Sequence, residues 1–339
     1  MEFSGPAVQP GVAVPEVSII VPARNEEASL GDCLRSLVEQ TGVAHEIIVV
    51  DDGSTDGTRA IAESFAGVNV IAPGPLAPGW TGKNNAVAAG SEVARGEWLL
   101  FTDADTVHLP GSLARAVAEA KEHGVEMLSY SSEQIAVTFW EMAILPVVFA
   151  ELAGEYPPKK VSDPASPIAA ANGQYILIRR DAYNAVGGHR RIAGNLLEDV
   201  ALARAVKNSG RKIRFRYGAD AVRTRMYRNW PQLRGGWTKN LALLFPHARR
   251  RAILLGAWWF FGWLALPLFV PAAALFLVIR RAHFGLATTV TALAFGPPLF
   301  GYLLLRSHHA HATGGVSWKG RTYDTPPASV GKWNAATGD

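Results

Sequence analysis

Cysteine is nearly absent: Cys33 stands alone in 339 residues. No disulfide can form within the chain, which excludes a small disulfide-stapled scaffold and fits a reducing compartment. Charge is also scarce. Charged residues make up 18% against 49% hydrophobic, below the roughly 25% charged share of ordinary soluble domains, so part of the chain is expected in lipid. The net charge is only +4, and the one dense basic run, Arg249 to Arg251, abuts an apolar stretch. That placement suits a membrane surface and gives no expectation of a nucleic-acid partner. Met1 to Pro15 has neither a basic start nor an apolar run, so no signal peptide is expected there and residues 1–16 read as a flexible terminus. The phosphate loop GxxxxGK[ST] and internal repeats are both missing.

What is present divides into two regions. Up to about Pro246, strand-like and helix-like segments alternate. Val17–Val21, Glu46–Val50, Val68–Ala72 and Trp98–Phe101 read as buried strands; Glu26–Gln40, Gly57–Ala66, Lys83–Ala94 and Gly111–His123 read as helices. Such alternation predicts an α/β domain over residues 17–246, a mostly parallel Rossmann-like sheet flanked by helices, with ligands beyond the carboxyl ends of the strands. Ala252–Ile279 and Phe284–Leu305 carry no charge. Each exceeds the roughly 20 residues a membrane span needs, and together they predict a transmembrane hairpin over 252–305 followed by a tail at 306–339. Arg249–Arg251 and Arg306 put the domain on the cytoplasmic side of the cell membrane, while Arg280 and Arg281 in the opposite loop pull the other way. Phe139–Leu152 is apolar but too short to span; it reads equally as an interfacial helix anchored by Trp140 or as core.

The polar motifs fall at the expected strand ends. Asp51-Asp52-Gly-Ser-Thr-Asp-Gly57 follows the second strand. An ordinary acidic turn explains it, and so does a carboxylate receiving the hydroxyls of a ribose. Asp103-Ala-Asp105 follows the fourth strand, and two carboxylates at i and i+2 can offer oxygens to one hard cation whose shell a diphosphate completes. Lys83 opens an Ala-rich helix, where a phosphate meets both its ammonium and the helix N-terminus. Glu198-Asp199 also open a helix; the macrodipole accounts for them, and so does a general base.

The order of these motifs, with Pro22-Ala-Arg-Asn-Glu26 after the first strand, resembles the family 2 glycosyltransferases of the GT-A fold over about Val17 to Leu244. The resemblance implies that Pro22, Ala23, Glu26 and Asp52 hold the nucleoside of a nucleotide-sugar and that Lys83 and Asp103 lie at its diphosphate. It also implies that Asp103 and Asp105 bind a divalent metal (Mg2+ or Mn2+), Asp105 being preferred as the direct ligand, and that Asp199 is the catalytic base. The Gln-x-x-Arg-Trp of processive synthases is absent: Gln232 to Asn240 keeps Trp237, with Gly236 and not arginine immediately before it. That stretch, and Trp318-Lys-Gly-Arg321-Thr-Tyr323 in the tail, are similar to the carotenoid- and hopanoid-associated membrane branch. Glu198, Trp237, Lys239, Trp318 and Arg321 are therefore expected on the acceptor side, closing the site.

The expected activity is an inverting transfer from a nucleotide-sugar, with UDP preferred, to a lipid-like acceptor such as a carotenoid or other isoprenoid. Three alternatives remain. A polyprenyl-phosphate acceptor would call on Arg223, Arg225 and Lys239. A sugar nucleotidyltransferase would need a Gly-rich loop where this chain has Pro22 to Glu27. A membrane scaffold with a degenerate domain would not be expected to keep Asp52, Asp103, Asp105 and Asp199.

Overall fold

The computed structural model describes residues 14–245, 247–264, 275–279, 284–318 and 320–323. In chain order, the first half contains β1 (Val17–Ala23), α1 (Leu30–Val38), β2 (His45–Asp51), α2 (Thr58–Glu63), β3 (Val68–Ile71), α3 (Gly82–Val93), β4 (Trp98–Phe101), β5 (Thr106–His108), α4 (Ser112–Glu122), β6 (Met127–Ser131) and β7 (Glu133–Gln134). There follow α5 (Phe139–Glu155), α6 (Pro158–Ser162), β8 (Ile176–Arg179), α7 (Arg180–Ala185), α8 (Gly188–Arg191), α9 (Glu198–Asn208), β9 (Ile213–Tyr217), β10 (Val222–Thr224) and α10 (Trp230–Leu244). The chain continues through α11 (Ala248–Leu264), α12 (Leu286–Ala312), β11 (Val316–Trp318) and β12 (Arg321–Tyr323).

The main sheet has seven strands in the order β3-β2-β1-β4-β8-β6-β9. β1 pairs in parallel with both β2 and β4, and β2 in parallel with β3. Only β8 runs against its neighbours β4 and β6. Apolar residues buried on both faces explain this central placement: Ile19 and Val21 pack with Leu30, Leu34 and Leu37 of α1, while Ile20 joins Ala86 and Val87 of α3 on the opposite face. β5, β10 and β7 form a small second sheet.

The four strands read from the sequence are present. α1, however, begins at Leu30 rather than Glu26, because the preceding residues are clamped to the turn after β2. Asn25 N–H donates to Ser54 Oγ (3.0 Å), Glu26 N–H to Thr58 Oγ1 (2.7 Å) and Glu27 N–H to Asp56 Oδ2 (3.2 Å). In return Gly57 N–H donates to Glu27 Oε2 at 2.9 Å. Side chains thus take backbone groups that a helix would otherwise use.

A third apolar cluster joins α5, α10 and α12. Ala143, Ile144, Val147 and Val148 of α5 are buried, and Trp140 lies over Trp230 with ring centroids 4.5 Å apart. The apolar stretch 139–152 therefore packs against protein. Gly296 marks the closest approach of α12 to α5: a Cβ there would come within 2.5 Å of the Ala143 carbonyl oxygen. Polar contacts fix the other end of α12, where Ser307 Oγ donates to the Thr238 carbonyl (2.6 Å) and His311 Nε2 to the Lys239 carbonyl (2.8 Å).

Among the described residues α12 is the one helix long and apolar enough to cross a membrane, with 44% of its most apolar window buried. Its 27 residues extend about 40 Å at ~1.5 Å per residue. Of the other expected span, α11 contains the Arg249–Arg251 run, while Pro267, Pro271, Arg280, Arg281 and His283 lie outside the described residues. So do residues 1–13 of the terminus and 324–339 of the tail.

Candidate active site

A cavity of about 560 Å³ is lined by residues from the carboxyl ends of β1, β2 and β4. Pro22, Ala23 and Glu26 contribute from the first strand end, Asp52 from the second, and Asp103 and Asp105 from the turn after β4. Lys83, Glu198, Asp199, Lys239 and Arg321 complete the candidate set on this wall. Of the other expected residues, Trp237 stands apart and Trp318 is placed by its backbone alone. Trp237 is 2% exposed, packs against Phe149 and Tyr227, and lines a second, smaller cavity instead. Trp318 belongs to the β11–β12 hairpin, where its backbone pairs with Arg321.

At the second strand end the neighbouring carboxylates divide their tasks. Asp51 Oδ1 accepts from Ser54 N–H (3.1 Å), shaping the turn. Asp52 is gripped from the distant hairpin: Arg321 Nη2 donates to Oδ1 at 3.0 Å and Nη1 to Oδ2. The Gly at position 82 makes this approach possible, since a Cβ there would run into the Arg321 guanidinium and come 2.5 Å from Asp52 Oδ2. Thr81 caps α3 by accepting from Asn84 N–H (3.2 Å). Asn84 Nδ2 donates to the carbonyls of Ile192, Ala193 and Asn195, at 2.8–3.0 Å, and so ties α3 to the segment leading into α9.

Lys83 Nζ lies 2.7 Å from Asp103 Oδ1 and 2.6 Å from Glu198 Oε1. Desolvation lowers its pKa, but these two carboxylates outweigh it and hold the ammonium well above its ordinary value. Burial alone would raise the Glu198 carboxyl; Lys83, and then Lys239, bring it below its usual range. Asp199 moves the other way. Burial, then the charge of Glu198, push it up to about 6. Adjacent carboxyls thus have opposite shifts, a pattern that divides ion-pairing from proton transfer. Burial also lowers the Lys239 pKa.

The Asn172–Gln174 segment was not singled out in the sequence. Gly173 N–H donates to Asp199 Oδ2 at 3.1 Å, and a Cβ at Gly173 would lie 3.0 Å from Lys83 Nζ. A glycine between two polar amides was the available signal. Arg228, also missed, lines the cavity and donates to the Ala28 carbonyl at 2.9 Å.

Asp103 and Asp105 offer hard oxygen donors that suit Mg2+ or Mn2+. No group of three or more His, Cys, Asp or Glu among the described residues is placed to hold an ion, so a cation here would complete its shell with substrate phosphate and water. Burial pushes the nearby Cys33 thiol up to about 12.

Residues 18–187 match the profile of the family described as "Glycosyl transferase family 2". The chain is 27% identical over 344 aligned positions to the 4,4'-diaponeurosporenoate glycosyltransferase of Staphylococcus aureus strain MRSA252, covering 91% of this chain and 88% of that protein. It is 28% identical to the strain USA300 protein of the same name, covering 74% and 67%. Among solved structures, the mannosyltransferase PcManGT from Pyrobaculum calidifontis, in complex with GDP-Man and Mn2+, superposes with a TM-score of 0.50 at 18% identity, covering 89% of this chain and 76% of that one. That likeness establishes the GT-A-type α/β fold.

Proposed function

The chain belongs to glycosyl transferase family 2, and from that premise we propose that it moves a hexosyl group from a UDP-sugar to a lipid-like isoprenoid acceptor, with inversion at the sugar carbon. It is a glycosyltransferase with a nucleotide-sugar donor; the sugar, the base and the acceptor are the proposed parts. One observation carries the reading: a single lysine, Lys83, links the carboxylate pair Asp103/Asp105 to the pair Glu198/Asp199 within one cavity.

In this proposal Pro22, Ala23, Glu26 and Asp52 hold the nucleoside. Lys83 and the N-terminus of α3 face the diphosphate. Asp103 and Asp105 hold the divalent metal, which when bound supplies positive charge to the departing diphosphate. The acceptor oxygen attacks C1 of the sugar, the bond from C1 to the diphosphate oxygen breaks, and the acceptor's hydroxyl proton passes to Asp199. With its carboxyl near 6, Asp199 is mostly ionised at neutral pH and still basic enough to take that proton. Lys239 lines the cavity near Asp199, Arg321 closes it at the nucleoside-binding Asp52, and α12 attaches the domain to the cell membrane with the site on the cytoplasmic face. The name of the relatives, 4,4'-diaponeurosporenoate glycosyltransferase, supports a carotenoid or similar acceptor; a hydroxyl on it needs Asp199 as base, whereas an ionised carboxylate attacks with no proton to lose.

A polyprenyl-phosphate acceptor is less well supported, because two of the cations it would use are matched by carboxylates. Arg223 pairs with Glu133 at 2.6 Å and Arg225 with Glu141 at 3.1 Å. Incubating the full chain in detergent with UDP-glucose, UDP-N-acetylglucosamine and GDP-mannose plus Mn2+, and measuring nucleoside diphosphate release, tests the donor. UDP release alone is expected; release from GDP-mannose alone would overturn the UDP assignment.

A further inference from the structure

Behind the donor cavity lies a second one, of about 140 Å³. Phe149 and Leu152 of α5, Val200 of α9, and Trp237 and Leu244 of α10 give it an apolar wall. It is not a separate chamber: Asn172, Asp199 and Asn240 line both cavities. A nucleotide-sugar has no use for such a surface. Its phosphates and ribose need cations, carboxylates and amides, and those are concentrated around Lys83 and Asp52 in the first cavity.

Two further observations describe what the second cavity lacks. The indole Nε1 of Trp237, in a residue 2% exposed, has no hydrogen-bond partner among the described residues, and neither does Asn240 Oδ1. A buried donor left without an acceptor is destabilising, so an incoming oxygen is favoured there. The cavity's position also matters. α5 and α10, which form much of its wall, are two of the helices against which α12 packs, and α12 is the candidate membrane-crossing helix.

We propose that this second cavity is the acceptor subsite: it takes the head end of a long apolar chain arriving from the bilayer beside α12 and delivers the terminal oxygen to Asp199 from the side opposite the donor, with Trp237 Nε1 as a hydrogen-bond donor to the acceptor head. The inference rests on the transfer reaction proposed above. It places the hydrocarbon and the nucleotide in different compartments that meet along a boundary of Asn172, Gln174, Leu197, Asp199, Met226 and Asn240. Its volume suits the end of a chain and not its full length, so chain length beyond the head group is only weakly selected.

The test uses the full chain in detergent, the UDP-sugar found active above, and the C15 isoprenoid alcohol farnesol as acceptor probe. Ala153, on α5, lines the second cavity and not the first. Ala153→Trp should raise the KM for farnesol about ten-fold or more, since even one methylene in an apolar pocket is worth roughly ten-fold, while the calorimetric affinity for UDP changes less than two-fold. Trp237→Phe, which keeps the ring and removes the N–H, should raise the farnesol KM in the same sense. A folded Ala153→Trp protein with wild-type farnesol KM would overturn the subsite and leave the donor assignment standing. Wild-type protein that neither binds UDP nor consumes any UDP-sugar would overturn the underlying reaction instead. A farnesol analogue with a diazirine on its chain gives an answer independent of folding in the variant. Its crosslinks in the wild-type protein should map to the peptides holding Leu152 to Tyr156 or Trp237 to Leu244; crosslinks confined to other segments would exclude this cavity.

Discussion

Arg321 Nη2 donates to Asp52 Oδ1 at 3.0 Å, and the second guanidinium nitrogen donates to the other carboxylate oxygen. The C-terminal hairpin, whose strand β11 lies against α10, therefore closes on a carboxylate at the end of β2. This fork-to-fork geometry is available to arginine and not to lysine.

Arg321→Ala should lower transfer roughly ten- to hundred-fold, taking about 1.5–3 kcal/mol for a hydrogen bond to a charged group, with the protein still in the membrane fraction. Arg321→Lys should restore only part of the loss. Transfer within two-fold of wild type in both variants would remove the hairpin from the reaction.

Asp105→Asn should abolish the dependence of UDP affinity on Mn2+ without unfolding the protein. Calorimetric titration of UDP with and without Mn2+ reads this directly. The same metal-dependent gain in mutant and wild type would place the cation elsewhere.

The raised carboxyl of Asp199, near 6, sets a pH dependence. A base works only when ionised, so kcat/KM should fall as pH drops through about 6 and level off above it. Asp199→Asn should lower turnover on the order of 10²–10⁴-fold and erase this limb, with UDP affinity little changed. A wild-type profile flat from pH 5 to 8 would count against Asp199 as the base.

Gly296 tests the packing of α12. A side chain there meets the Ala143 carbonyl oxygen and the Val147 side chain, so Gly296→Val should destabilise the α5–α12 contact by about 1–3 kcal/mol, as overpacked cores do. Thermal unfolding in detergent should show a lower midpoint; an unchanged midpoint would mean that the two helices separate freely.

The first half of the fold was legible because short, wholly apolar runs such as VSIIV and WLLF leave few alternatives, and because motifs at strand ends converge in any parallel sheet. That convergence placed Asp52, Lys83, Asp103, Asp105 and Asp199 around one cavity. Other features lay beyond sequence patterning. The run Ile176–Ile178 has the same apolar character as the parallel strands, so nothing in it announces that β8 runs the other way. Composition could not tell whether Phe139–Leu152 faced lipid or protein; the answer depended on Gly296 of a helix far along the chain. Trp237 was read on the acceptor side from its motif, and the pattern gave no sign that α10 sets it in the apolar cluster, on the wall of a second cavity. The start of α1 was misread because turn side chains nearly thirty positions away, such as Ser54 for Asn25, capture its backbone groups.

Asp52 and Arg321 are 269 positions apart, which has a consequence in time. A ribosome adding about 5–20 residues per second finishes the GT-A sheet and its carboxylates long before it makes the guanidinium that meets them. The main sheet is complete at Tyr217, so for roughly 5 to 20 s each new molecule carries a finished sheet whose Asp52 has no guanidinium to meet. Catalytic competence then waits for the hairpin that follows α12 in the chain. A nascent chain that stalls before residue 321 would be folded in its first half and silent.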